Sequence, residues 1–359
     1  MIFLTTKELS TTLDRTPRTQ NIMLVGKHGI GKSEILSKYF ADKGVKVVTL
    51  FLGQMSDPGD LIGLPCRDEA TGRTNFMPPY WFPVDDQPVA LFLDELNRAR
   101  PEVLQTIMDL ALNRRLAGRS LPEGSTVISA VNDGEEYQLT DLDPALVSRF
   151  NVYGFRPTKE EWMVWAKSEK LDDRVVEFIN ENSDWLDGNP LDRNNTDTGL
   201  EKTPDRRAWK KVSDVIKKRP DLDSSDSKII AGIVGTPAAS KFLSYAKDNH
   251  LLSGEMVLNE FDKVKATVSK YKVHELSIVN DSIFVYIETN YPTMDAKQAA
   301  KVAKGFSAYL SLLTQGKRKE ALAEFVNTYN SGTYSYVPAF VGLKCPDALI
   351  TITKFISEL

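Results

Sequence analysis

Cysteine and histidine are scarce in this chain of 359 residues. Its two cysteines, Cys66 and Cys345, lie far apart and without metal-ligand spacing. That excludes a disulfide framework and reads as two thiols in a reducing compartment. The three histidines (His28, His250, His274) include no i, i+4 pair, so no zinc site is expected. No apolar run approaches the ~20 residues a membrane-spanning helix needs. Met1–Leu4 is too short for a signal segment before Lys7 and Glu8 intervene. A formal net charge of -4 supplies no whole-molecule field for nucleic acid, which is disfavoured as a partner. These absences leave a soluble, cytoplasmic protein without a membrane partner. Its length calls for two or three domains.

What is present divides near Pro157. Before it, short apolar runs alternate with helical patterns: Asn21–Val25, Val45–Leu52, Val89–Leu93, Thr126–Val131 and Asn151–Phe155 read as strands. Helical faces follow the first of them, and Pro101 opens a helix carrying Val103, Leu104, Ile107, Met108 and Ala111. The pattern predicts an α/β fold with a parallel five-stranded sheet between helices, whose ligands sit at the carboxyl ends of strands. After Pro157 the periodicity is helical. It marks helices over Lys159–Lys167, Asp173–Asn182, Arg206–Lys217, Ser227–Val234, Ala238–Asp248, Gly254–Tyr271, Ala296–Leu313 and Arg318–Tyr329. Asp184–Thr203, rich in Asn, Asp, Gly and Thr, reads as a long loop.

Gly26-Lys27-His28-Gly29-Ile30-Gly31-Lys32-Ser33 satisfies G-x-x-x-x-G-K-[ST] between a strand and a helix. Glycines there let backbone N–H groups turn toward phosphate oxygens, and the helix start adds its positive dipole end. Gly26, His28, Gly29, Ile30, Gly31, Lys32 and Ser33 are therefore the candidate nucleotide-binding residues. Lys32 would reach the β- and γ-phosphates of ATP, and the Ser33 hydroxyl would hold Mg2+. His28 occupies a variable position of the motif.

Asp94 and Glu95 close an apolar strand, where a magnesium-holding Asp belongs; Glu95 is then placed to act as general base on the attacking water. Asn132 ends the next strand and is either a γ-phosphate contact or a turn residue before Asp133-Gly134. Arg114, Arg115 and Arg119 form a small basic cluster without interleaved aromatics, which argues against base stacking.

Taken in order, GKHGIGKS, GQMSDPGDLIGLP (Gly53–Pro65), LFLDELNRA (Leu91–Ala99), NRRLAGRSLPEG (Asn113–Gly124) and LTDLDPALVSRF (Leu139–Phe150) resemble the AAA+ ATPases, and within them the MoxR branch. The resemblance covers residues 20–157, and TPDRRAW (Thr203–Trp209) extends it more weakly. It implies an AAA+ core at 1–157 with an insertion at about 55–88, a helical lid at 158–248 and a C-terminal helical extension at 249–359. By the same resemblance Asn132 is sensor 1 and Arg149 an arginine finger acting on a neighbouring subunit. Sensor 2 falls in the lid, where Arg-x-Trp selects Arg207 over Arg206. A ring follows, normally a hexamer of the chain with itself, as does a partner bearing a von Willebrand factor A domain. The implied function is a Mg2+-dependent ATP hydrolase that remodels a protein. A DNA-acting motor or loader and a nucleotide-gated scaffold with little turnover are the alternatives.

Overall fold

The computed structural model describes residues 1–133, 142–190, 202–219, 222–246 and 251–358. The chain divides into two compact units, Met1–Pro157 and Thr158–Leu359.

The first unit runs β1 (Phe3–Leu4), α1 (Thr6–Arg15), β2 (Asn21–Gly26), α2 (Lys32–Asp42), β3 (Lys46–Phe51), α3 (Gly59–Ile62), β4 (Leu64–Arg67), β5 (Thr74–Met77), β6 (Val89–Asp94), α4 (Pro101–Asn113), β7 (Arg115–Leu116), β8 (Arg119–Ser120), β9 (Thr126–Asn132), α5 (Pro144–Val147) and β10 (Phe150–Phe155). Six strands form one sheet in the order β1-β10-β2-β9-β6-β3, every neighbouring pair parallel. The five expected strands are its body. The two-residue β1 is an addition at the edge, pairing Phe3 with Gly154 and Leu4 with Phe155.

The inner strand β6, between β9 and β3, shows why these runs are apolar throughout. Val89, Leu91 and Leu93 enter one core layer with Val103, Leu104 and Ile107 of α4. Ala90 and Phe92 enter the opposite layer with Leu36 and Phe40 of α2. Alternating side chains are buried on both faces, as a helix-covered parallel sheet requires. Each large side chain so buried contributes about 1.5–3 kcal/mol. Because all the ladders run one way, Gly26, Asp94 and Asn132 end at the same edge. The register sets Gly26 beside Asn132 and Phe51 beside Asp94.

The insertion at 55–88 is not a bare loop: it holds α3 and the antiparallel hairpin β4–β5, with Leu64 opposite Met77 and both exposed. Arg114 is not part of a free basic patch. Its guanidinium donates to Ser125 O (2.8 Å), Arg18 O (2.7 Å) and Asn21 Oδ1 (3.0 Å).

The second unit is helical throughout its described residues: α6 (Lys159–Ser168), α7 (Asp173–Glu181), α8 (Arg206–Ile216), α9 (Ser224–Val234), α10 (Thr236–Tyr245), α11 (Gly254–Val268), α12 (Val273–Asn290), α13 (Ala296–Leu313), α14 (Lys319–Asn330), α15 (Tyr336–Lys344) and α16 (Pro346–Glu358). The periodicity marks neither α12 nor α15 and α16. In α12 the cause is burial: it packs against α6, α7, α11, α14 and α15, so apolar residues surround it and no single stripe stands out. A polar chain is sealed inside, with Tyr309 Oη donating to Asn280 Oδ1 (2.7 Å) and Asn280 Nδ2 to Ala321 O (3.0 Å). Glu288 of α12 accepts the N–H groups of Ser335 and Tyr336 (both 2.7 Å) and Val337 (3.1 Å), satisfying the start of α15. One apolar core runs from Trp162 to Ile352. The division expected between 248 and 249 lies outside the described residues, as do Gly134, residues 139–141 of the LTDLDPALVSRF segment and most of the loop expected at 184–203.

Candidate functional site

The turn from β2 into α2 is shaped by Gly29 (φ 74°) and Gly31 (φ 92°). A side chain at either would cost roughly 1–2 kcal/mol in this left-handed region. Gly31 takes the N-cap position without a side-chain cap, which leaves the first N–H groups of α2 to a ligand. Ile30 is buried and anchors the loop on the core, whereas Lys27 and His28 are exposed.

Lys32 is 6 % exposed. Its ammonium donates to Gly26 O (2.6 Å), Lys27 O (2.9 Å) and Asn132 Oδ1 (3.0 Å). A buried cation needs such partners, and here they are the loop's own carbonyls and the residue ending β9. Ser33 Oγ donates to Asp94 Oδ2 at 3.0 Å.

That separation tests the fit of a magnesium ion. Neighbouring ligands of an octahedral Mg2+ with bonds of 2.0–2.1 Å lie about 2.9 Å apart. Ser33 and Asp94, two hard oxygen donors at that separation, would fit adjacent positions on such an ion. Among the described residues no group of three His, Cys, Asp or Glu could cage a metal. A two-oxygen site completed by water and phosphate is the usual Mg2+ arrangement.

Glu95 follows Asp94 in a left-handed conformation (φ 55°, ψ 43°). For a residue with a side chain this stores on the order of 1–3 kcal/mol, a cost that recurs at functional positions. Its Oε1 pairs with Arg98 at 2.9 Å. Both side chains are partly exposed, so the pair orients the carboxylate more than it stabilises the fold. Gly53, just beyond β3, passes close by: a Cβ there would sit 3.1 Å from Glu95 Oε2.

Asn97, 3 % exposed, bonds Asn132 twice. Its Nδ2 donates to Asn132 O (3.0 Å), and its Oδ1 accepts the Asn132 N–H (3.3 Å). Gly53, Asn97 and Arg98 were not among the residues marked from sequence. The only signal for two of them was the Asn-Arg that follows the acidic pair.

The structure therefore gathers Gly26–Ser33, Asp94, Glu95 and Asn132 at one sheet edge. It does not bring Arg149 there. Arg149 precedes β10, whose Phe150 pairs with Asn21 at the start of β2. Five residues of strand separate Asn21 from Gly26, about 16 Å. The Arg149 guanidinium instead donates to Ala145 O, and its Nε finds no acceptor among the described residues. Near this opposite edge a cavity of about 260 Å³ is lined by Asp14, Tyr39, Lys43 and Thr126, among others, and by none of the candidate residues.

In the second unit, α8 starts with Arg206 and Arg207. Arg206 is buried and held by Asp187 through Nε (3.0 Å) and a second nitrogen (2.8 Å), while Arg207 is exposed.

Residues 21–150 match the family described as "AAA domain (dynein-related subfamily)". Over 142 residues the chain is 29% identical to "Putative chaperone BssE" of Thauera aromatica, covering 37% of this chain and 49% of that protein. The chain thus spans about half the length of this curated relative. Among solved structures, the RuvB Holliday junction branch migration motor of Thermotoga maritima is 15% identical, with 74% of each chain covered and a TM-score of 0.37. NtrX of Brucella abortus in complex with ADP is 13% identical, with 86% of this chain and 67% of that chain covered and a TM-score of 0.40. The phosphate loop, Asp94, Glu95 and Asn132 all lie within residues 21–150, the stretch that matches the dynein-related AAA domain family.

Proposed function

We propose that this chain is a Mg2+-dependent ATP hydrolase of the MoxR type that assembles as a hexameric ring and remodels or activates a protein partner. One observation carries the reading: two polar contacts, Ser33–Asp94 and Lys32–Asn132, each 3.0 Å long, meet at the carboxyl edge of the sheet. They bring a hydroxyl, a carboxylate, an ammonium and a carboxamide to the mouth of a helix N-terminus, the set that phosphoryl transfer uses.

In this reading Gly26, His28, Gly29, Ile30, Gly31, Lys32 and Ser33 wrap the triphosphate. Lys32 exchanges its carbonyl partners for β- and γ-phosphate oxygens, and Ser33 and Asp94 hold the metal. The metal, when bound, neutralises charge on those oxygens. Glu95 accepts a proton from the attacking water, and Asn132 orients that water or the γ-phosphate. Arg149 of the neighbouring copy supplies positive charge where the transition state develops negative charge. Arg207, not Arg206, is the lid arginine: a residue already bound to Asp187 cannot also serve a phosphate without breaking that pair. Residues 158–248 act as the lid and 249–359 as an extension of it. The inserted segment offers Leu64 and Met77 of its hairpin and Tyr80 just beyond it, all exposed, to the partner, for which a von Willebrand factor A domain protein is the first candidate.

The test is phosphate release from MgATP alongside titration with a fluorescent ATP analogue. Lys32→Met should lose binding, and Glu95→Gln should bind but turn over at least ~100-fold more slowly. Tight binding by Lys32→Met, or normal turnover by Glu95→Gln, overturns the reading. Glu95→Gln held in ATP should also retain the partner in a pull-down.

A further inference from the structure

The ladder between β6 and β9 stops at Leu93 and Ser129, three residues before Asn132. Beyond that point β9 pairs only with β2, through Ala130, Val131 and Asn132. On the β6 side the backbone N–H and C=O of Asn132 would face no strand. Asn97 takes that place: its carboxamide acts as one detached peptide group, donating to Asn132 O at 3.0 Å and accepting from Asn132 N at 3.3 Å. It sits two residues after Glu95, in the short turn Leu96–Arg98 whose opening residue is the left-handed Glu95. A movement of Glu95 therefore reaches Asn132 through one turn and two hydrogen bonds.

Asn97 is almost fully buried and uses both ends of its side chain on a single residue. Burial of a carboxamide is tolerated only when its polar atoms are satisfied. An apolar side chain here would take both of these hydrogen bonds away from Asn132. The side chain of Asn132 meets Lys32 at 3.0 Å through Oδ1, which orients its NH2 group as the donor toward a ligand.

We infer that Asn97 is a positioning residue for the hydrolysis proposed above, on which this inference rests. It holds the backbone of Asn132 so that the carboxamide faces Lys32 and the γ-phosphate, and it ties that orientation to Glu95.

The test uses the full chain with Asn97→Ala, Asn97→Asp, Asn132→Ala and the double variant Asn97→Ala/Asn132→Ala. Three readouts are followed: the side-chain NH2 resonance of Asn132 without nucleotide, affinity for a fluorescent ATP analogue, and kcat at saturating MgATP. Asn97→Ala should shift the Asn132 resonance, leave affinity nearly unchanged and lower kcat about 10- to 100-fold. Asn97→Asp keeps the acceptor but loses the donor, so it should fall between Asn97→Ala and wild type; it serves if the alanine variant fails to fold. The double variant should be no slower than Asn132→Ala, because both changes remove one arrangement. A folded Asn97 variant with an unmoved Asn132 resonance overturns the inference. So does a double variant whose losses multiply, or a single Asn97 variant that only melts earlier while its kcat stays at the wild-type value. If the wild-type chain does not hydrolyse ATP, the parent reading fails, and the resonance still decides whether Asn97 sets Asn132.

Discussion

Arg149→Ala offers a test in which the structure sets the number. Arg149 lies at the amino edge of the sheet beside Asn21, about 16 Å along β2 from the phosphate loop. An arginine side chain does not span that distance, so its own site is out of reach. The contacts that keep its backbone in place survive truncation, since Asn21 Nδ2 donates to Arg149 O at 3.0 Å. Arg149→Ala should therefore fold, bind ATP and lose about 10³-fold or more in turnover, the usual value of a finger. In a ring each site takes Lys32 from one copy and Arg149 from the next. When Arg149→Ala and Lys32→Met chains are mixed one to one, a competent site needs the first type followed by the second. Random assembly gives that arrangement at about a quarter of positions, whatever the ring size. Phosphate release per protomer should rise from near zero to about 25% of wild type after mixing, peak near equal ratios and fall symmetrically. Size-exclusion chromatography in ATP checks that mixed rings form. Turnover by Arg149→Ala alone, or mixed rings inactive at every ratio, would refute an arginine acting between subunits.

Three further outcomes are expected. Gly53→Val adds bulk where even a Cβ lies 3.1 Å from Glu95 Oε2 and 3.2 Å from Arg98 Cβ; kcat should drop about tenfold or more with ATP affinity retained, and equal kcat would remove Gly53 from the site. Arg206→Ala removes the buried guanidinium from half-buried Asp187 and should lower stability by about 1.5–3 kcal/mol. Arg207→Ala, on an exposed position, should change stability little yet slow turnover; equal melting losses for both would contradict the assignment. The third concerns Glu177 of α7, where burial is the main cause that pushes the carboxyl from 4.5 up to about 7. Its folded value exceeds its unfolded one, so the folded chain binds the extra proton between pH 4.5 and 7. Stability is then lost as pH rises through that window. The shift corresponds to about 3 kcal/mol at most, less after partial solvent screening. Glu177→Gln should be more stable than wild type at pH 8 by about 2 kcal/mol, with the gap closing near pH 5. Denaturant melts at the two pH values that gave the same gap would show that Glu177 ionises freely.

Some of the molecule was legible without coordinates. The phosphate loop announces itself because wrapping a triphosphate demands glycines and a lysine at fixed spacing, and that demand is local to eight residues. Asp94 and Glu95 were legible for a related reason: a run such as Val-Ala-Leu-Phe-Leu is buried on both faces, so the first charge after it marks a strand's end. The five main strands and ten of the helices, α2 and α4 among them, followed from the periodicity of apolar residues.

What escaped depends on distance in sequence. Asn97 reaches Asn132 only because β6 and β9 lie in register and one ladder ends three residues early. Gly53 approaches Glu95 only because β3 is the neighbour of β6. The proposed preference for Arg207 over Arg206 draws on Asp187, which lies in a segment that carries no periodic signal. The long helix α12 was missed because burial on all sides erases the amphipathic stripe by which a helix is read. Two residues of β1 carry no period at all. The sequence thus determined which local chemistry is present and the class of fold that presents it. The tertiary structure decided which side chains meet, because packing and strand register join residues that no spacing rule connects.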